Sequence, residues 1–221
     1  DVIRLQGSGD YTETVPVLDK NGHMVSTDVE RTCEVDIALR WGSDYDSITR
    51  SFVNIVATPK GGTHVAGFEQ ALVKVLRKQV ENQARRVKFN AKNEKIEKDD
   101  TLAGLTAVVS VRIDEPQFEG QTKEVLGTPA ARQIVAKVVE ERLTEFLTST
   151  KKGEKEQAAL VIDKVVSEMR ARIAARMHKE VSRRKNALES STMPTKLADC
   201  RATDVERSEL FIRDRRRSLT C

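Results

Sequence analysis

The sequence predicts an α/β fold in which helices pack on one face of a small mixed sheet, followed by a long helical extension. Two segments alternate with the period of a strand. Cys33, Val35, Ile37, Leu39 and Trp41 are separated by Glu34, Asp36, Ala38 and Arg40, while Leu105, Ala107, Val109, Val111 and Ile113 are separated by Thr106, Val108, Ser110 and Arg112. Two others carry apolar residues at spacings of three and four, around 65–79 and 134–147, which places them on one face of a helix. A third helical segment, 154–189, has an apolar stripe that thins as cations replace it.

Taken in order, residues 1–30 are rich in turn formers (Gly7, Gly9, Pro16, Asn21-Gly22) and read as short strands near 11–18 and 23–28 around a hairpin turn. The strand beginning at Cys33 is followed by a turn at 42–46 and a second strand over 47–57, and the two are expected to pair antiparallel. Gly61-Gly62 precedes a helix with Thr63 as N-cap and Val65, Phe68, Leu72, Val75, Leu76 and Gln79 inward. Residues 90–103 are densely charged and read as a surface loop. The strand over 104–114 leads through a polar loop, 116–123, to Thr128-Pro129, a cap and first-turn pair that opens a helix of about 129–149. Lys151, Lys152 and Gly153 interrupt the pattern. The last helix then carries Leu160, Ile162, Val165, Val166, Met169, Ile173 and Met177 as its stripe.

The 221 residues suffice for one large domain and an appendage, and 33% charged residues mark a soluble chain. No run of eighteen apolar residues exists to span a membrane. The chain opens on Asp1 without a signal-type stretch, as a piece of a longer protein would. Cys33, Cys200 and Cys221 are far apart and form no CxxC pair, which argues against a zinc site or a disulfide framework and fits a reducing cytoplasm. The net charge of +4 is unevenly spread. Residues 1–73 hold six basic and eleven acidic side chains, whereas 74–98 hold nine basic and three acidic. A polyanion is thus attracted to one part of the chain and repelled by another.

The most informative chemistry is Lys123, a cation on a loop held between a strand and a capped helix. Such a lysine either solvates the surface or presents its charge to a group outside the domain, a phosphate being the natural acceptor. Gly61-Gly62 before a helix N-terminus could cradle a phosphate, but the Gly-Lys-Ser/Thr ending of a P-loop is missing, so structural capping is favoured. His64 has no ligand-spaced partner for a metal. The cluster Lys74, Arg77, Lys78, Arg85, Arg86 and Lys88 reads equally as a solvated helix face or a polyanion contact. Between Glu168 and Lys185, seven cations (Arg170, Arg172, Arg176, Lys179, Arg183, Arg184, Lys185) face two acids, a density suited to phosphate contacts without base reading.

Pro-Gln-Phe-Glu-Gly-Gln-Thr-Lys at 116–123, Gly-Gly-Thr-His at 61–64, Gly-Leu-Thr-Ala-Val-Val-Ser-Val at 104–111 and Lys-Leu-Ala-Asp-Cys at 196–200 occur in the order found in a known family. The chain resembles the ATPase subunit of bacterial type IIA DNA topoisomerases, gyrase B or its topoisomerase IV equivalent, from about residue 31 to 212. The resemblance implies a ribosomal protein S5 domain 2-like transducer over 1–150, a long basic linker helix and linker over 151–195, and the start of a Toprim domain over 196–212. Residues 213–221 do not match the family. It further implies that Lys123 and Gln121 contact the ATP γ-phosphate and act in its hydrolysis, and that Arg170, Arg172, Arg176, Lys179, Arg183 and Arg184 face DNA. ATP and Mg would belong to the parent subunit, with none bound by this chain alone, which by itself would be inactive. Implied partners are an upstream ATPase domain, a second copy, a DNA-cleaving partner subunit and double-stranded DNA, in the cytoplasm. Many relatives carry a basic residue after the phenylalanine of the first helix, where this chain has Glu69. The competing reading is a nucleic-acid-binding structural module of the same fold. A self-contained enzyme finds no Ser-His-Asp set, acidic metal cluster or nucleotide fingerprint to support it.

Overall fold

A computed structural model describes residues 1–18, 24–91 and 94–190, with the backbone alone at 17–18 and 185–190. The expected Asn21-Gly22 turn, the Toprim-like 196–212 and the tail 213–221 lie outside the described residues. Among the described residues, strands and helices follow in the order β1 (Ile3–Leu18), β2 (Met24–Trp41), β3 (Ile48–Val53), β4 (Val56–Ala57), α1 (Thr63–Asn82), α2 (Ala84–Val87), α3 (Lys98–Leu102), β5 (Leu105–Ile113), α4 (Pro129–Leu147) and α5 (Lys152–Ser190). The chain divides into two compact units, Asp1–Ala174 and Ala175–Cys221. No described helix is long and apolar enough to cross a membrane.

The sheet is mixed, in the order β1-β2-β5-β3-β4, with β5 antiparallel to β2 and parallel to β3. This corrects the expected pairing of the Cys33 strand with the 47–57 strand, because β5 lies between them. Antiparallel neighbours in sequence often pair directly, but here β5, whose inner row is wholly apolar and buried, inserts between them. The 47–57 segment is itself two strands, folded back at Asn54 and Ile55, both in the left-handed region at φ +46° and +77°. Asn54 suits that conformation. Its side chain accepts from the Ile113 N–H at 2.9 Å and donates to the Ile113 carbonyl, so an amide stands in for the next backbone unit at the end of β5.

The first thirty residues also differ from expectation. Instead of two short strands, β1 and β2 form one long hairpin paired from Ile3↔Leu39 to Leu18↔Met24. Gly7 and Gly9 are not turn residues but strand positions where α4 comes close. A Cβ on Gly7 would lie 2.9 Å from Val138 Cγ2, and one on Gly9 2.9 Å from Ile134 Cγ2. Strand glycines of this kind admit a close neighbour at the cost of local strand stability.

The core lies between one sheet face and the helices. Ile3, Leu5, Cys33, Val35, Ile37, Leu39, Leu105, Ala107, Val109, Val111 and Ile113 meet Phe68, Leu72 and Leu76 of α1, Val135, Val139 and Leu143 of α4, and Ile162, Val165 and Met169 of α5. The α5 stripe departs from its expected form: Leu160 is 69% exposed, and Ala158 and Val161 are buried instead. From Ala174 to Arg184 every α5 residue is exposed. The charged 90–103 segment contains α3, held by a capping box between Glu97 and Asp100, with Ile96, Asp100 and Thr101 buried. Dense charge concealed this element, because its carboxylates serve as caps and ion-pair partners and not as solvated groups.

His64, expected to have no metal role, is a fully buried core histidine in the first turn of α1. Its Nε2 lies 3.3 Å from Thr58 Oγ1, which in turn lies 2.8 Å from Ser51 Oγ, and its Nδ1 is buried without a partner. A bare acceptor is the less costly orphan, which assigns the proton to Nε2. Burial pushes the imidazole pKa down to about 4.

Two consequences can be measured. Gly7→Ala should destabilise the chain by about 1–3 kcal/mol through overpacking. Combining it with Val138→Ala should cost less than the sum of the two changes, as denaturant midpoints would show. For His64, both folded and unfolded states are neutral above pH ~6.5. Below that the unfolded chain takes up a proton that the folded chain refuses until about pH 4. Stability should therefore fall as pH drops from ~6.5 to ~4, by on the order of 3 kcal/mol at most. His64→Gln should show a shallower fall over that window.

Candidate phosphate-sensing loop and basic helix

Beyond Ile113 the chain folds into a small hairpin that carries Lys123 at its tip. Its stem is tied by the Glu119 N–H to the Val125 carbonyl at 2.9 Å and by the Gly127 N–H to the Gln117 carbonyl at 2.7 Å. A second line of bonds joins the outgoing side to the segment entering α1. The Lys60 N–H donates to the Glu124 carbonyl at 3.3 Å, the Leu126 N–H to the Gly61 carbonyl at 3.2 Å, and the Thr63 N–H to the Leu126 carbonyl at 2.9 Å. Lys60 Nζ and Glu124 Oε2 add an exposed ion pair at 2.5 Å. The Leu126 side chain is fully buried, so this joint is anchored on both backbone and side chain.

Gly62 makes the joint possible. At φ +140° it occupies a conformation open to glycine, and a Cβ there would sit 2.5 Å from both the nitrogen and the oxygen of Leu126. The glycine pair thus lets two backbones meet and does not cradle an anion, since the Gly61 and Thr63 N–H groups already donate to Thr58 and Leu126. Gly62, not Thr63, is the N-cap of α1, and no side chain caps it. The Thr63 hydroxyl donates to the Thr128 carbonyl at 2.7 Å. Thr128 is the N-cap of α4, with Pro129 following, but its hydroxyl accepts from the Gln117 N–H at 3.0 Å instead of capping the helix. Both threonines bind the hairpin to the two helix starts.

At the tip, Gln121, Thr122 and Lys123 are exposed. The Lys123 N–H closes a turn to the Gly120 carbonyl at 3.4 Å, and Gly120 and Lys123 both have positive φ, +88° and +55°. A lysine held left-handed costs roughly 1–2 kcal/mol, and such strain concentrates at functional sites. Among the described residues Lys123 has no carboxylate partner. Its ammonium lies 5.9 Å from the centre of the Phe118 ring, which supports the charge without neutralising it. An ammonium and an amide on one exposed turn are groups that can donate to a phosphate, while the Thr122 side chain is hydrogen-bonded to the Glu124 carboxylate. Among the described residues no group of three or more His, Cys, Asp or Glu could hold a metal ion.

The basic side chains of α5 divide into two sets. Arg172 is only 17% exposed: its Nε and Nη2 meet the two Asp100 oxygens at 2.7 and 2.9 Å, its Nη1 meets Glu97 at 3.0 Å, and Nη2 also donates to the Lys95 carbonyl at 2.7 Å. Arg170 pairs with Glu94 at 3.1 Å and donates to the Val87 and Lys88 carbonyls. These two arginines tie Val87, Lys88, Glu94, Lys95, Glu97 and Asp100 to α5. Arg176, Lys179, Arg183 and Arg184 fall in the second unit and are exposed, with Arg184 paired to Glu180 at 2.6 Å one turn away. In the α1 cluster, Lys74 pairs with Glu140, Arg77 donates to the Ile96 carbonyl and Arg86 pairs with Asp163. Glu69 is engaged with Lys98 at 2.7 Å. Sequence reasoning missed Arg31, Glu13 and Gln117, a charged group beside the hairpin stem. The available signal was charge at positions 31 and 13 in rows that otherwise point inward.

The DNA gyrase B family model matches residues 6–181. The DNA gyrase B of Mycobacterium tuberculosis (strain ATCC 25177 / H37Ra) is 41% identical over 81% of this chain and 26% of its own length. That of Treponema denticola is 44% identical over 81% of the chain and 27% of its length. The chain therefore spans about a quarter of the curated relatives it matches. Among solved structures, the 43K ATPase domain of Thermus thermophilus gyrase B, in complex with an aminocoumarin, matches with TM-score 0.62 and 27% identity over 81% of this chain and 41% of that one. The topoisomerase IV ATP-binding domain of Francisella tularensis matches with TM-score 0.54 and 32% identity over 64% of this chain and 37% of that one.

Proposed function

The chain belongs to the DNA gyrase B family, and from that premise we propose that it is the transducer segment of an ATP-dependent type II DNA topoisomerase. In this reading, residues 1–150 form an S5 domain 2-like body and 151–195 a long basic linker helix and linker, working in the cytoplasm. It couples nucleotide state in an upstream ATPase domain to closure of a clamp around DNA. A second copy of the same chain and a DNA-cleaving partner complete the machine. The single observation that carries the reading is the Lys123 tip: an exposed cation without a carboxylate partner among the described residues, held in a left-handed turn by a stem bonded into two helix starts. A nucleic-acid module of the same fold has no use for a strained cation so placed, and the family match leaves that alternative unfavoured.

The residues present fit one terminal phosphate and not a whole nucleotide. Lys123 would hold the γ-phosphate of ATP, with Gln121 donating beside it, while the parent protein supplies the remaining nucleotide contacts and Mg. ATP supplies the phosphoanhydride bond whose hydrolysis drives the cycle. A fixed ammonium at that point stabilises developing negative charge without reorganising at the moment of reaction. Because the stem is continuous with the starts of α1 and α4, a shift of the tip moves those helices with it. The chain alone, in this reading, neither hydrolyses ATP nor relaxes DNA.

In the full-length parent, Lys123→Ala should lower ATP turnover by about 10²–10³-fold, corresponding to ~3–4 kcal/mol, the usual cost of deleting one preorganised electrostatic group. Lys123→Gly relaxes the backbone but removes the same charge, and should lose as much. Turnover near the original rate in both variants, with folding unchanged, would make Lys123 a surface lysine only.

For DNA, the implied contacts rest best on Lys179 and Arg183, because Arg170 and Arg172 are spent on internal partners and Arg184 is paired with Glu180. Charge without amide or aromatic companions gives binding that ignores sequence. Lys179→Glu with Arg183→Glu should reduce the log-log salt slope of DNA binding by about 0.9 for each phosphate no longer neutralised. Arg172→Glu should instead lower thermal stability, since it leaves the buried Asp100 unpaired. An unchanged salt slope in the double variant would assign this stretch of α5 a scaffold role.

A further inference from the structure

A buried charged group that the phosphate reading does not use sits where the apolar inner rows of the β1–β2 hairpin end. The inner row of β2 runs Leu39, Ile37, Val35, Cys33 and then Arg31, all buried. Arg31 is paired across the hairpin with Tyr11, and its side chain is only 7% exposed. Its Nη2 lies 2.7 Å from Glu115 Oε2, and its Nε lies 2.8 Å from Glu13 Oε2 as an ion pair, not a well-directed hydrogen bond. The other Glu13 oxygen accepts from Gln117 Nε2 at 2.7 Å.

These partners are the two ends of the Lys123 hairpin's entry. Glu115 stands just before the loop, and Gln117 is the first residue of its stem, giving its carbonyl to Gly127 and its N–H to Thr128. One guanidinium therefore holds the incoming chain directly through Glu115 and the stem indirectly through Glu13. Nothing else about the core explains an arginine here, since an apolar residue would continue the row. A buried, multiply bonded arginine instead offers a rigid fork that fixes direction as well as distance.

We infer that Arg31 is a positioning residue for the Lys123 tip, setting the direction of the loop stem through Glu13, Glu115 and Gln117 so that the β1–β2 hairpin governs where the ammonium stands. The inference rests on the reading that Lys123 meets a phosphate, but its physical part can be tested apart from that reading. Arg31→Met keeps the length and the packing of the stem while removing the fork.

Two measurements decide. By hydrogen exchange on the chain itself, Arg31→Met should speed exchange of the Glu119 and Gly127 amides, which close the loop stem, and leave the Val109 amide in central β5 unchanged. In the full-length parent, the same change should lower ATP turnover by between about 10- and 100-fold, the scale of a misplacement near 1 Å. It should cause no further loss when Lys123 is already alanine, because it acts only through that side chain. Unchanged exchange at 119 and 127, or an effect that multiplies in the Lys123→Ala background, would overturn the inference and leave Arg31 a general stabiliser. If Lys123→Ala itself keeps full turnover, the phosphate reading fails, while the exchange result still establishes or refutes Arg31 as the group that orients the loop.

Discussion

Every element of the body is placed by one constraint: β5 has backbone partners on both edges and five fully apolar inward residues, Leu105 to Ile113, all within 2% of complete burial. A strand with no free edge and so apolar a face stands at the centre of a sheet, and its neighbours must bring helices to cover it. Helices α1, α4 and α5 do so on one side. The opposite face keeps Arg4, Asp36, Glu34 and Arg112, arranged as exposed ion pairs that contribute little to stability. The chain that leaves β5 has to cross from the sheet to α4, and the Lys123 hairpin is that crossing.

The crossing is stiff for a reason separate from the core. Leu126 bonds through its backbone to Gly61 and Thr63, Gln117 bonds to Gly127 and Thr128, and Gly62 has no side chain to keep the two backbones apart. Loops ordinarily offer their backbone groups to water. This one spends them on the first residues of two helices. The result is an exposed tip on a base tied into two helix starts, which suits the proposed role of Lys123 because the backbone that carries the ammonium is fixed to the body.

Charge plays two opposed parts in the molecule. Arg172 with Asp100, and Arg31 with Glu13, are sheltered pairs whose value is geometric: breaking one partner leaves a poorly solvated charge, so each fixes a local arrangement, while Glu115 meets the buried Arg31 guanidinium from the solvent side. Lys179 and Arg183, by contrast, are exposed and can meet a polyanion. Along the sequence these arginines and lysines look alike. A helix of one charge density thus places its cations in two environments, divided at Ala174 where its residues cease to be buried.

By itself the sequence determined the α/β class, the central strand, the three principal helices and the order of motifs that identifies the family, because each depends on local period or on a short residue string. It drew attention to Lys123 as a cation on a loop between a strand and a capped helix, a local feature, while Gln121 entered only through the resemblance to the family. Only the tertiary structure decided which strands are neighbours, since the sequence left 47–57 beside the Cys33 strand until β5 was seen between them. It also decided that Gly7 and Gly9 serve a helix contact, that Gly62 and not Thr63 is the N-cap of α1, and that 98–102 is a capped helix. The same is true of charge. Whether an arginine solvates, binds DNA or locks a loop depends on which carboxylates lie within about 3 Å, and Asp100 and Glu115 stand 72 and 84 residues from the arginines they hold. No periodicity encodes contacts at that separation, so their partners exist only once the chain has folded.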